Sequence, residues 1–300
     1  GFTLLAMGRK RDAEMEQRAG LASMEAALGP AHPGVGQARI MLGSTLAERN
    51  ELDEAVIEYR KALSIYESAL DPHHRRTIGA RCNLAVILKK RGDLRQAEAE
   101  LRLTLPLMEQ AYGAEHLRVA AVRNNYAGVL MGLGRIEEAE SQLRSSLEVS
   151  VESLPPEHLQ VLFTRINLAD SLRRQRHFEE AESELRLAIA TLERSHAPEH
   201  PALGAARSVL ARLLVSSERF EEARPTAEAA WERQQRDDVL PDDQAAAAFA
   251  LARVLWNVET PHRDRSRAQW LAEFAADVLE ANGDPVDPEI RRWLESRSVG

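Results

Sequence analysis

The chain has 300 residues, 44% of them hydrophobic and 29% charged, with a formal net charge of −8 and a single cysteine, Cys82. Such a composition supports a buried core, and its acidic balance argues against a general nucleic-acid binder. One cysteine excludes an internal disulfide or a thiolate cluster, and no apolar run approaches the ~18 residues of a membrane helix, so a cytoplasmic setting without membrane contact is expected.

Residues 8–28, GRKRDAEMEQRAGLASMEAAL, align with GDLRQAEAELRLTLPLMEQAY at 92–112. Residues 1–28 therefore read as the back part of a repeat whose first helix is cut short at Phe2–Met7. A natural array would cap the apolar flank this leaves, so truncation is the expectation.

From 29 to 238 the chain repeats every 42 residues in five copies without an insertion. GPAH at 29–32 returns as DPHH at 71–74, GAEH at 113–116, PPEH at 155–158 and APEH at 197–200. Each copy reads as two helices. In the third, helix A runs over Val119–Leu133 and stops at Gly134, a residue suited to a left-handed helix end. Helix B follows over Ile136–Ser153, with Ile136, Ala139, Leu143, Leu147 and Val151 spaced by three and four. Prolines such as Pro33, Pro72, Pro155, Pro198 and Pro201 mark the links. Pro106 falls inside a B helix and predicts a local kink.

Fixed positions predict the packing. Leu46, Leu88, Leu130, Leu172 and Leu214 face helix B, while Ala55, Ala97, Ala139, Ala181 and Ala223 let the paired helices approach. One pair cannot bury both of its faces, so each copy must lean on the next. After 238 the register fails. A degenerate helix pair, capped at Asp242 or Asp243 and starting again at Ser266, precedes a last short helix behind Asp287-Pro288. Residues 239–300 thus read as the terminal cap.

The leucine and small-residue spacing in RNNYAGVLMGLGRIEEAE (123–140) and RINLADSLRRQRHFEEAE (165–182) resembles tetratricopeptide repeats of the long kinesin-light-chain-like type. This resemblance implies an all-α, right-handed superhelical solenoid of antiparallel helix pairs, with helix A lining the concave surface. The ending, ALARVLWN (250–257), DRSRAQWLAEFAADVLEANG and EIRRWLESR, resembles that of arrays attached to myxobacterial-type serine/threonine protein kinases. No glycine-rich loop, HRD or DFG string is present, so the chain itself is expected to be non-catalytic, without cofactor or metal. The resemblance implies a regulatory or recruitment arm. A ligand-sensing arm of a signalling ATPase or transcription regulator, and a self-associating adaptor, remain as alternatives; the oligomeric state stays open.

Several side-chain ladders compete for a functional role. His32, His74, His116, His158 and His200 recur once per copy, too far apart to converge on a metal, and are expected to start helix A by donating to a neighbouring copy's backbone. Arg39, Arg81, Arg123, Arg165 and Arg207 are expected to pair with glutamates on helix B. Cys82 shares its phase with Ile40 and Ile166 and reads as a small hydrophobe.

Given the helix A groove that the resemblance implies, the wheel places Asn83, Val86 and Lys90, then Asn124, Asn125, Gly128 and Gly132, then Phe163, Asn167, Asp170 and Arg174 on the inner side. Asparagine recurs at one phase in three copies (Asn83, Asn125, Asn167) although it is a mediocre helix former. Its amide can both donate to and accept from a peptide backbone. With Lys89, Lys90, Arg173 and Arg174 close by, the expected partner is a protein or peptide presenting an acidic or C-terminal segment. The competing reading has these asparagines bridging adjacent helices.

Overall fold

A computed structural model describes residues 10–197, 200–234, 241–259, 262–282 and 286–297. The cut helix at Phe2–Met7, Pro198, Gly283 and the side chain of Asp242 lie outside the described residues. Among the described residues there are 14 helices and no strand. They fall into two compact units, 1–149 and 150–300.

The first unit contains α1 (Lys10–Leu28), α2 (Pro33–Glu48), α3 (Leu52–Ala69), α4 (Arg75–Lys90), α5 (Leu94–Tyr112) and α6 (Leu117–Gly132). Helix α7 (Ile136–Ser153) runs across the division. The second unit contains α8 (Leu159–Arg174), α9 (Phe178–Ser195), α10 (Pro201–Ser216), α11 (Phe220–Gln234), α12 (Pro241–Asn257), α13 (Arg265–Asn282) and α14 (Pro288–Glu295). Within each unit every helix packs on its neighbours in the chain, and in the second unit the A helices α8 and α10 also touch.

Helix A begins at the same step in every copy. The Nδ1 atoms of His32, His74, His116, His158 and His200 accept from the backbone N–H two residues on, at 3.0, 3.1, 3.0, 3.2 and 3.2 Å. This corrects the expected donation to a neighbouring copy: each ring caps its own helix, satisfying an N–H that the first turn leaves unpaired. Helix α6 consequently starts at Leu117, two residues before the expected Val119.

Helix A ends in a left-handed corner at Asn50, Gly92, Gly134, Arg176 and Glu218, with φ of 63, 89, 77, 66 and 60°. These positions are one repeat apart, so the corner belongs to the repeat geometry even where no glycine supplies it. The residue two places on opens helix B, and the fixed alanines behind it (Ala55, Ala97, Ala139, Ala181, Ala223) are fully buried against helix A. Leu46, Leu88, Leu130, Leu172 and Leu214 are at most 2% exposed. At Gly36 a Cβ would stand 2.8 Å from the Tyr66 ring, so glycine permits that close crossing.

Helix α5 continues through Pro106 as one element, and Pro225 lies inside α11 in the same way. At the C-terminal end, Asp264 Oδ1 accepts from Arg267 N–H at 2.9 Å, and Asp287 Oδ1 accepts from Glu289 N–H at 2.7 Å ahead of Pro288. These caps start α13 and α14.

Candidate functional site on the helix A faces

Much of the charge along the array is consumed internally. Arg39 pairs with Glu25 of the preceding B helix and with Glu58 of its own, and Arg81 repeats this with Glu67 and Glu100. Arg123 keeps only the first partner, Glu109 at 2.8 Å, because Gln142 replaces the second. Arg165 pairs with Glu184 of its own copy, and Arg207 with Glu193 at 2.9 Å. The ladder stitches helices together through charge-assisted forks, as its phase predicts.

In the first unit, Asn83 on α4 is exposed, and Asn124 and Asn125 on α6 are half-buried. Val86, three positions after Asn83 on α4, is 40% exposed. Lys90 reaches back one copy, where its Nζ donates to the Ala47 carbonyl at 2.8 Å near the end of α2. Such a cation complements the partial negative charge of a helix C-terminus. Burial lowers the Lys90 pKa and nearby Lys10 adds to this, against Glu48. Lys89 lies across α6 at Gly128, where a Cβ would stand 2.4 Å from its Nζ.

In the second unit the corresponding face is built differently. Phe163 is 38% exposed and Asn167 half-buried, both on α8. Asp170, 7% exposed, sits among three guanidiniums: Arg173 at 2.9 Å, Arg174 at 3.1 Å and Arg212 of α10 at 3.4 Å. Burial pushes its carboxyl up, but Arg212, Arg173 and Arg174 outweigh that and hold it well below the usual carboxylate range. Arg173 also donates to Ser216 Oγ at 3.4 Å. Three guanidiniums thus converge on one carboxylate, which holds their forks in place.

Arg173 and Arg174 lie three and four positions after Asp170, a spacing readable on any helix. Arg212 escaped the sequence reading. It occupies Asp170's own phase one copy later, and a like-phase comparison of charges would have found it.

Neither of the remaining candidates gathers into a site. Burial pushes the Cys82 thiol up to about 11, which suppresses the thiolate needed for nucleophilic chemistry. Among the described residues no group of three or more His, Cys, Asp or Glu side chains is placed to hold a metal ion. None of the described helices is long and apolar enough to cross a membrane.

Comparison with known proteins agrees with the helical pattern. No curated protein matches the sequence. Among solved structures, kinesin-light-chain TPR-like repeats from Podosopora anserina are 22% identical with a TM-score of 0.57, covering 69% of this chain and 99% of that one. BtubC (BKLC) from P. vanneervenii is 22% identical with a TM-score of 0.54, over 81% and 94% of the two chains. A tetratricopeptide repeat protein from Parabacteroides merdae is 18% identical with a TM-score of 0.60, over 98% and 94%. At such identities the likeness speaks for the fold alone. The tetratricopeptide repeat family profile matches residues 1–68, 76–150, 118–194 and 164–236, and the chain belongs to that family.

Proposed function

We propose that this tetratricopeptide array is a protein-interaction scaffold whose helix A faces take an extended, acidic or C-terminal peptide segment. The observation that carries this reading is the cationic Arg173–Arg174–Arg212 cluster fixed by Asp170 on the second unit's helix A face. Phe163 adds exposed apolar surface, and the Asn167 amide suits a peptide backbone. On the first unit, Asn83, Asn124, Asn125 and Lys90 supply amides and a cation of the same kind.

The test is a calorimetric titration of the 300-residue chain with a short Glu-rich peptide carrying a free C-terminal carboxylate. Asn125→Ala with Asn167→Ala is expected to weaken binding about tenfold or more, with helicity and melting temperature nearly unchanged. Loss of folding without a separate loss of affinity would mean that these amides bridge helices and do not grip a ligand.

On the resemblance of its ending, residues 250–297 above all, the chain is read as the recruitment or regulatory arm of a larger bacterial serine/threonine kinase. Determining the coding sequence upstream of Gly1 tests this: HRD and DFG motifs support it, and a different effector domain overturns it.

A further inference from the structure

A second concentration of positive charge lies in the first unit, away from the helix A face. Arg75 and Arg76 open α4, His116 and Arg118 open α6, and Tyr112 ends α5. With Ala111 these residues line a depression of about 560 Å³. The Arg75 guanidinium sits over the Tyr112 ring at 4.8 Å from its centre, and that of Arg118 at 5.4 Å. Arg118 also donates from Nη1 to the Tyr112 hydroxyl at 3.3 Å, and the His116 ring lies 5.1 Å from the Tyr112 ring. Arg75, Arg76, His116 and Arg118 are all exposed.

Three features distinguish this place from the arginine ladder. No carboxylate lines the depression, and among the described residues no ion pair joins Arg75, Arg76 or Arg118 to an acid. Asp71, the acid nearest Arg75 in the chain, accepts from the backbone N–H of His73 at 2.7 Å and contacts its ring. Repeat geometry does not ask for the cluster either. The other copies place Leu28, Leu70, Leu154 and His196 where Tyr112 stands, and Pro33, Leu117, Leu159 and Pro201 where Arg75 stands. Finally, His116 Nδ1 is committed as an acceptor to Arg118 N–H, so in the neutral ring the proton sits on Nε2.

We propose that Arg75, Arg76 and Arg118, with His116 and Tyr112, form a binding site for a phosphomonoester group. Three guanidinium forks, an imidazole N–H and a phenol O–H are all donors, which suits a dianion with three terminal oxygens better than a single carboxylate. The starts of two helices contribute partial positive charge at the same place. Packing two guanidiniums on one aromatic ring holds them near each other at a repulsive cost that an anion relieves.

The site is tested by titrating the full chain at low chloride with inorganic phosphate, a phosphoserine peptide and the same peptide unphosphorylated. Each probe is repeated on a variant carrying Arg75→Leu, Tyr112→Leu and Arg118→Gln. Those substitutions install residues that other copies carry at the same phase (Leu117, Leu70 and Gln160), so the fold is retained. Arg118→Gln alone serves if the triple variant melts early. The expected result is phosphate-dependent binding that weakens about tenfold or more in the variants. A phosphopeptide that outcompetes inorganic phosphate identifies a phosphorylated chain as the source, and equal affinities identify a free phosphate compound. No binding of either phosphate probe, or binding unchanged in the variants, overturns the proposal.

Discussion

The two units use cations on their helix A faces in different ways. In the first, Lys90 is tied to a single carbonyl of the preceding copy, and Lys89 rests on a glycine. In the second, three arginines share one buried carboxylate. A lysine is a compact charge on a flexible stem, whereas an arginine fork is planar and can be aimed. The first face therefore commits the Lys90 charge to a helix end, while the second converges three forks on one carboxylate as a preorganised cluster. An acid among arginines need not be a ligand contact; here Asp170 sets where the surrounding forks point.

Removing the carboxylate breaks this comparison most severely. Asp170→Asn leaves three guanidiniums, Arg173 well covered among them, without their shared counter-charge. Breaking a buried pair in this way costs about 3–5 kcal/mol, and urea unfolding would register it. The same change should flatten the acid limb of the stability curve. Because the folded-state carboxyl is held low, its stabilisation is complete above the unfolded value of about 4 and is lost as pH falls through the folded one. The Asn variant has no such window. Lys90→Met in the first unit removes a single charged hydrogen bond to a helix end, about 1 kcal/mol. A cost equal to that of Asp170→Asn would erase the distinction between the faces.

The corners supply the smallest contrast. The first unit turns from helix A to helix B on Asn50, Gly92 and Gly134, but the second turns on Arg176 and Glu218, which carry a Cβ at φ of 66 and 60°. Arg176→Gly and Glu218→Gly should each raise stability by up to about 1 kcal/mol, since relief of left-handed strain exceeds the entropy that glycine adds to the unfolded chain. Gly134→Ala should lower it by a similar amount. Thermal melts read both, and a loss at Glu218→Gly would show that this side chain contributes something the corner geometry does not.

Period and phase made the helices legible, because apolar positions three and four apart and a fixed alanine require paired helices that lean on their neighbours. The arginine ladder was legible for the same reason: Glu25, Glu58, Glu67 and Glu100 sit at constant distances from it along the chain. Direction was harder to read. Imidazole can donate or accept, so the histidine ladder announced a helix start but not that Nδ1 accepts within its own turn. Charge sharing between copies was hidden too, since Arg212 is remote in sequence from Asp170 and meets it only once α8 and α10 are stacked. The Tyr112 cluster escaped because Arg75, Arg76, His116 and Arg118 open two different helices that stacking brings together.

On the proposed function, the preorganised arginine cluster makes the second unit's helix A face the stronger seat for an acidic segment. The direct measurement is the affinity of the Glu-rich peptide for the wild-type chain, Arg174→Glu and Lys90→Glu, taken at two salt concentrations. Arg174→Glu is predicted to lose about thirtyfold or more and most of the salt dependence, while Lys90→Glu loses only about threefold. Equal losses, or an Arg174→Glu chain that binds as the wild type does, would contradict the account.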